Sequence, residues 1–456
     1  MATRANKKVL IIDDDSSFCA FTAEILSARG WRVLTAGDGE SGLKLLRRHR
    51  PAVVVCDLLM PRHNGFHVCR SVRADAAIAR TRFIVTSGRD YESDRRAARE
   101  AGADAYLTKP FQPGELIALM DCVSVRRETP VAPAHEAGRV LAFEPARDAS
   151  SAAAPAQFCF WGVRGSVATP GPSTVRFGGN TSCIEIRAAG EIIILDAGTG
   201  LRALGQKLVE EFGDAPLRLT LLLTHTHWDH IQGLPFFAPI YRPNCRLRIL
   251  GYEGARKGLV NVLSGQFESP YFPVPFGQLP GNVVIEELKE MKFRVGDVRV
   301  EAFFANHPGI CVGYRVNTPE GSLAFFPDNE PHCRHDGAKA VASTKAGATL
   351  SYARAEERKF VRFLRGVDAL ILDSQYTRAG YEQHVGWGHG CVDDAVAIAT
   401  QARAKKLFLF HHDPANDDAQ VARMAAHARR LVAAQRSNLH VEAARECVLV
   451  KLPFKP

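Results

Sequence analysis

No uninterrupted apolar run in the 456-residue sequence approaches the ~18 residues that would span a bilayer. The opening "MATRANKKVLIIDDDSS" has too short an apolar stretch to serve as a signal peptide, and three aspartates follow it at once. The eleven cysteines are odd in number, scattered, and form no C-x-x-C pair. That excludes a disulfide framework and points to reduced thiols, so a cytoplasmic location is expected. A long basic block is also missing: 58 Lys and Arg against 49 Asp and Glu leave a net charge of +9. The arginines lie in stretches such as "RDYESDRRAARE", which read as solvated helix faces with at most a mild attraction for phosphate-bearing substrates. There is no fixed-period repeat, and no DNA-binding domain is evident.

A length of 456 residues, with 46% hydrophobic and 23% charged residues, suits two or three globular domains. Residues 7 to about 125 alternate strands and amphipathic helices: "KVLIID", "WRVLTAG", "AVVVCD", "RFIVTSG" and "DAYLTKP" are strands, each followed by a helix. Five such units predict a doubly wound five-stranded parallel sheet covered on both faces. The stretch "ETPVAPAHEAGRVLAFEPARDASSAAAPA", rich in Pro, Ala, Ser and Glu, marks a linker. From Gln157 onward, β-rich runs such as "TSCIEIRAAGEIIILDAGTG", "LRLTLLLTH", "FRVGDVRVEAFFANH", "CVGYRVNTPEGSLAFFPD" and "KLFLFHH" dominate, with intervening helices. They predict two sheets flanked by helices, a four-layer α/β sandwich. The expected domains are therefore 1–125, a linker at 126–156, and 157–456.

In the first domain Asp13 and Asp14 end the first strand, Asp57 the third, Thr86 the fourth and Lys109 the fifth. The carboxyl ends of the strands of a doubly wound sheet form its ligand crevice, so these five residues should converge. Three close carboxylates repel unless a cation binds them, and an all-oxygen set favours Mg²⁺. With the motifs "IIDDD", "CDLLMPRHNG", "IVTSG" and "YLTKPF", the segment resembles the receiver domain of two-component response regulators. The resemblance implies that Asp57 accepts a phosphoryl group from a sensor histidine kinase or phosphotransfer protein. It implies that Asp13, Asp14 and Asp57 hold Mg²⁺, that Thr86 and Lys109 contact the phosphoryl oxygens, and that Tyr106 is the aromatic switch. It also implies a cis peptide at Lys109–Pro110.

In the second domain "THTHWDH" places His225, His227, Asp229 and His230 within six residues. In an extended stretch His225, His227 and Asp229 would point one way. Histidines two apart can share one metal, and the Asp229–His230 pair, where the chain turns into an "IQGLPFF" helix, aims at another. Imidazole with carboxylate suits Zn²⁺, Mn²⁺ or Fe. Other apolar strands also end in His or Asp: Asp196, His307, Asp328, and His411 with His412.

Together with "RFGGNTSC", "ILDAGTG", "NHPG", "FFPDNE", "LILDSQYT", "GWGHG" and "LFLFHHDP", this constellation resembles the metallo-β-lactamase fold hydrolases, most of all their phosphodiesterase, ribonuclease Z-like branch. The resemblance implies a first metal on His225, His227 and His307. It implies a second on Asp229, His230 and His411, with Asp328 bridging the two and Asp196 supporting from below. Zinc or manganese is expected. Asp229 would orient the attacking water, and His389 would contact phosphate or act as general acid. Two departures bear on secondary phosphate contacts: Gly390 follows His389 where Ser or Thr is common, and "DNE" replaces a frequent D-T pair. His332, His335, His384 and His412 read as non-ligands. The segment "GQFESPYFPVPFGQLPG" reads as an apolar lip on which a nucleobase could stack, or as ordinary loop packing; the insertion between Glu330 and Lys359 reads as a second lid or a docking surface.

The combined expectation is a response regulator whose phosphorylation controls a dinuclear-metal phosphodiesterase acting on a small phosphodiester, with a homodimer as a possible assembly and no membrane partner. Two alternatives share the residues: a lactone or thioester hydrolase, and a nucleotide-sensing module without turnover.

Overall fold

A computed structural model describes residues 7–125, 155–252, 258–333 and 344–453. The expected linker therefore lies, through residue 154, outside the described residues, as do residues 334–343 of the insertion and His335. The chain forms two compact units, the first within Met1–Val140 and His335–Arg354, the second within Leu141–Arg334 and Ala355–Pro456.

The first unit is the expected doubly wound sheet. Strands β1 (Lys8–Ile12), β2 (Arg32–Ala36), β3 (Val53–Asp57), β4 (Arg82–Ser87) and β5 (Ala105–Thr108) alternate with helices α1 (Ser16–Ser27), α2 (Gly39–His49), α3 (Gly65–Ala74), α4 (Glu92–Ala101) and α5 (Pro113–Val125). All pairs are parallel, in the order β2-β1-β3-β4-β5. Central β3, "VVVCD", is buried at every position, as a strand covered on both faces must be. Asp15, Asp38 and Asn64 cap α1, α2 and α3 through side-chain oxygens that accept backbone N–H groups.

The second unit contains two seven-stranded sheets. The elements run β6 (Gln157–Gly162), β7 (Cys183–Ala188), β8 (Glu191–Leu195), α6 (Gly200–Phe212), β9 (Leu217–Leu223), α7 (Trp228–Ile231), β10 (Cys245–Gly251), α8 (Gly258–Ser264) and β11 (Asn282–Glu287). There follow β12 (Lys292–Val295), β13 (Val298–Phe304), β14 (Val312–Asn317), β15 (Ser322–Phe326), α9 (Thr344–Leu364, in this unit from Ala355 onward), β16 (Ala369–Asp373), α10 (Arg378–Glu382) and α11 (Val392–Gln401). The last are β17 (Lys406–Phe410), α12 (Asp418–Ala434), β18 (His440–Ala443) and β19 (Leu449–Lys451). One sheet has the order β11-β10-β9-β8-β7-β6-β19, the other β12-β13-β14-β15-β16-β17-β18. Apolar side chains of α6, α7 and α8 cover the first sheet; those of α9, α11 and α12 cover the second. The two sheets meet through aromatic rings: Phe160 of β6 stands 5.2 Å from Phe408 of β17, and Phe158 stands 5.8 Å from the same ring. This is the four-layer sandwich.

Two details differ from the sequence expectation. Runs read as single β segments fold back on themselves. In "TSCIEIRAAGEIIILD", Ala189 and Gly190 both take positive φ (50° and 79°), the geometry of a tight two-residue hairpin turn between β7 and β8. "IQGLPFF", expected to be helical, continues α7 only to Ile231 and then breaks into 3₁₀ turns at Leu234–Phe236 and Ala238–Tyr241. Pro235 and Pro239 supply no N–H to carry an α-helix onward.

The inter-sheet contact yields a stability prediction. Phe160 is fully buried. Phe160→Ala should cost about 3–5 kcal/mol in urea unfolding of the second unit. A cost below about 1 kcal/mol would contradict Phe160 as an inter-sheet core residue.

Candidate functional site

In the first unit the carboxyl ends of β1, β3 and β5 bring Asp13, Asp57 and Lys109 together. Lys109 Nζ donates to Asp13 Oδ2 and to Asp57 Oδ1, both at 2.6 Å. Burial alone would lower the Lys109 pKa, but the Asp57 and Asp13 carboxylates outweigh it and hold it raised. Asp13 is pushed up to about 7 by burial first and the Asp57 charge second, the repulsion that the sequence implies. The remaining Asp57 oxygen accepts from Leu59 N at 2.9 Å. Asp14 is exposed beside this pair. Among the described residues the three aspartates do not form a group with all ligand atoms within 4.8 Å of one another, and the Lys109 ammonium bonds both Asp13 and Asp57. Thr86 is buried and its Oγ1 has no hydrogen-bond partner. The Tyr106 hydroxyl donates to Arg89 O at 2.9 Å, and the Arg95 guanidinium covers its ring at 4.9 Å. Lys109–Pro110 is cis, as expected.

In the second unit parallel strands deliver their last residues to one edge. Asp196 follows β8, His225 follows β9, Asp328 follows β15, Asp373 ends β16 and His411 follows β17. Potential metal-ligand atoms of His225, His227, His307 and Asp328 lie within 4.8 Å of one another, and so do those of Asp229, His230 and His411. Asp328 faces both groups. Its Oδ2 is 3.4 Å from His225 Nε2 and 3.5 Å from His307 Nε2; its Oδ1 is 3.3 Å from His230 Nε2 and 3.0 Å from His411 Nε2. All seven expected ligands thus converge, in the expected grouping.

Four of the rings, His225, His230, His307 and His411, are held through Nδ1, so that Nε2 faces inward. His230 Nδ1 meets Asp196 Oδ2 at 2.8 Å, and Asp196 also accepts from Thr224 N and Thr224 Oγ1. His225 Nδ1 lies 3.0 Å from Thr224 Oγ1, His411 Nδ1 3.0 Å from Gln375 Oε1, and His307 Nδ1 2.9 Å from Gly388 O. Asp229 Oδ2 accepts from Ser166 N at 2.8 Å. Two glycines make room: a Cβ on Gly165 would stand 2.3 Å from His411 Nδ1, and one on Gly388, at φ 91°, would stand 2.6 Å from His307 Nδ1.

The electrostatics and the donor chemistry suit divalent cations. Burial pushes His225, His227 and His307 downward, leaving neutral imidazoles. Burial would raise Asp229 and Asp328, but the neighbouring histidines outweigh it and hold both carboxyls low. His230 goes the other way: burial lowers it, yet Asp229, Asp328 and Asp196 together raise it. Three buried atoms, His225 Nε2, His230 Nε2 and Asp328 Oδ1, have no hydrogen-bond partner. Orphaned buried nitrogen and oxygen atoms facing one small space are what a cation would satisfy.

His389 joins the edge. Its ring lies parallel to His411 at 4.8 Å and 5.1 Å from His307. Nδ1 meets Asp373 Oδ2 at 2.9 Å; burial alone would lower His389, but the Asp373 carboxylate raises it to about 9. The same Asp373 oxygen accepts from Asn329 N at 3.0 Å, tying His389 to the loop that carries Asp328. Glu330, fully buried, accepts from the Tyr381 hydroxyl and from Gly386 N, and so anchors the 384–389 loop. Ser166, Asp373, Gln375 and Glu330 were not singled out from sequence. Asp373 carried a usable signal, an acid ending an apolar strand; the other three carried none. His412 bonds Ala444 O and His384 meets Gly380 O, in keeping with non-ligand roles. The anticipated aromatic lip turns inward: Phe272 and Phe276 pack edge-on against buried Phe267, leaving Tyr271 exposed.

Comparison with known proteins follows this division. The family profile described as response regulator receiver domain matches residues 9–121, and that described as beta-lactamase superfamily domain matches residues 192–345. The alkaline phosphatase synthesis transcriptional regulatory protein PhoP of Bacillus subtilis is 34% identical over 131 residues, 29% of this chain and 53% of its own. The chain thus spans about half the length of that curated relative. A metallo-beta-lactamase fold protein, YhfI from Bacillus subtilis, superposes with a TM-score of 0.44 at 15% identity, over 65% of this chain and all of the other. A diphosphatase from the PhnP family superposes with a TM-score of 0.43 at 17% identity, over 66% of this chain and 98% of the other. The chain thus joins a segment that matches a response regulator receiver domain, residues 9–121, to one that matches a beta-lactamase superfamily domain, residues 192–345.

Proposed function

We propose that this chain is a response regulator in which phosphorylation of Asp57 controls a phosphodiester hydrolase. Its functional domains are residues 1–125 and 157–456, joined by a linker at 126–156. The observation that carries the hydrolase reading is Asp328, one oxygen toward His225 and His307 and the other toward His230 and His411. That is the placement of a carboxylate shared by two cations. His225, His227 and His307 would hold one, and Asp229, His230 and His411 the other, as zinc or manganese. When bound, such a pair supplies charge neutralisation at phosphorus and acidifies water near neutral pH.

The chain supplies the rest. Asp229, steadied by Ser166 N, orients the attacking water. His389, its Nδ1 tied to Asp373, presents Nε2 to a phosphate oxygen or to the leaving oxygen as a proton donor.

In the first unit Asp13, Asp14 and Asp57 would hold Mg²⁺, and a histidine kinase or phosphotransfer protein would supply the phosphoryl group. The free Thr86 Oγ1 and the Lys109 ammonium are placed to receive phosphoryl oxygens. Drawing Thr86 toward the phosphoryl group would alter the packing around Tyr106, whose hydroxyl holds Arg89 O.

Two measurements test this reading. Purified protein with Zn²⁺ or Mn²⁺ should hydrolyse bis(p-nitrophenyl) phosphate, and Asp229→Ala should lose at least a hundredfold in kcat/KM. Equal rates in both proteins would remove the catalytic assignment, and turnover of a lactone or thioester alone would move the substrate class. Acetyl phosphate should change the wild-type rate and leave that of Asp57→Ala unmoved; a rate indifferent to acetyl phosphate in wild type would refute control through Asp57.

A further inference from the structure

Between the proposed ligands His227 and Asp229 stands Trp228, and its side chain is not part of the core: the residue is 63% exposed. A second exposed indole, Trp387 at 62%, immediately precedes Gly388, whose carbonyl holds His307 Nδ1 at 2.9 Å. Each tryptophan is therefore one residue away from a member, or a backbone partner, of the His225–His227–His307 group. His307 Nε2 lies 3.0 Å from His227 Nδ1, which brings the two chain segments to one place.

Neither indole hangs on a loose loop. Trp387 N donates to His384 O at 3.0 Å, Gly386 N is held by buried Glu330, and His384 N donates to Tyr381 O. The Trp387 ring stands edge-on to His384 at 4.7 Å, and His384 in turn stacks on Tyr376 at 4.6 Å and 9°. Trp228 opens α7, which carries Asp229 and His230 inward. Both backbones are set by the same bonds that set the polar centre, so a group binding the rings meets surfaces already in position. Phe272 and Phe276 of the expected lip pack edge-on against Phe267, and Phe272 also against Phe236, whereas Trp228 and Trp387 are exposed and adjoin the ligand groups in sequence.

We propose that Trp228 and Trp387 are stacking surfaces for a flat aromatic substituent of the phosphodiester, of nucleobase type, and so determine the class of substrate. The inference rests on the phosphodiesterase reading above. Its occupant follows from chemistry: for a substituent of a phosphorus held at the ligand groups, an exposed indole beside His227 or Gly388 favours a π system over an alkyl chain of equal reach.

The test uses the full-length metal-loaded protein, with adenosine 5′-monophosphate and methyl phosphate as probes. As inhibitors of bis(p-nitrophenyl) phosphate hydrolysis, the nucleotide should bind at least tenfold more tightly than methyl phosphate. Trp228→Leu and Trp387→Leu should each reduce that preference about 5- to 100-fold, the range expected for loss of one stacked base, while Trp228→Phe and Trp387→Phe keep most of it. Equal inhibition by the two probes in wild type, or Leu and Phe variants that behave alike, would overturn the proposal. Tryptophan fluorescence provides a readout independent of turnover. Quenching by the nucleotide and not by methyl phosphate, diminished in the Leu variants, is expected even if no diester is hydrolysed. Absence of quenching in a protein that does hydrolyse diesters would sink the stacking role and leave the phosphodiesterase reading intact.

Discussion

The second unit is organised around one carboxylate. Asp328 follows a central parallel strand and sets its two oxygens against two different groups of imidazoles. Without it, buried His225 and His307 would face one another with no carboxylate among them, and His230 and His411 would keep only Asp229. The fold makes this placement possible because parallel neighbours in each sheet end at the same edge. The aromatic contact of Phe158 and Phe160 with Phe408 holds the two sheets face to face, so that Asp196 and His225 from one sheet and Asp328 and His411 from the other meet.

A second layer of polar contacts fixes the first. Asp196 grips both Thr224 and His230, so the residues before and within "THTHWDH" are set by one buried acid. Asp373 does the same for His389 and Asn329, and Gln375 for His411. These bonds fix which ring nitrogen points outward from the centre, a condition for metal binding and for proton donation alike. The receiver crevice uses a related device at smaller scale. There the Lys109 ammonium relieves repulsion between Asp13 and Asp57 by bonding both carboxylates.

Much of this was legible in the sequence because strand ends are legible. An apolar run closed by His or Asp, repeated several times, announces an edge where chemistry collects, and Asp13, Asp57, His225, His307, Asp328 and His411 all obey that rule. The hairpins were harder: "TSCIEIRAAGEIIILD" has no break in β character except Ala189–Gly190, and the turn there depends on positive φ rather than on a polar loop. Ser166 could not be read at all, since its contribution is a backbone N–H supplied at φ 60° by a loop remote in sequence from Asp229. Glu330 carried no sequence signal either, although its carboxylate anchors the loop that carries His389. Composition could not choose between an aromatic lip and ordinary loop packing, because it does not say which way a ring faces: Phe267 gathers the neighbouring phenylalanines into the core, while Trp228 and Trp387 remain in solvent.

The account stands on Asp328 joining two cation sites into one centre. Zinc content per chain, measured by mass spectrometry after gel filtration in magnesium-free buffer, tests this directly. Wild type should retain two zinc ions, His225→Ala and His411→Ala one each, and Asp328→Ala fewer than one, with circular dichroism confirming that each variant is folded. A single zinc in wild type, or two zinc ions retained in folded Asp328→Ala, would contradict it.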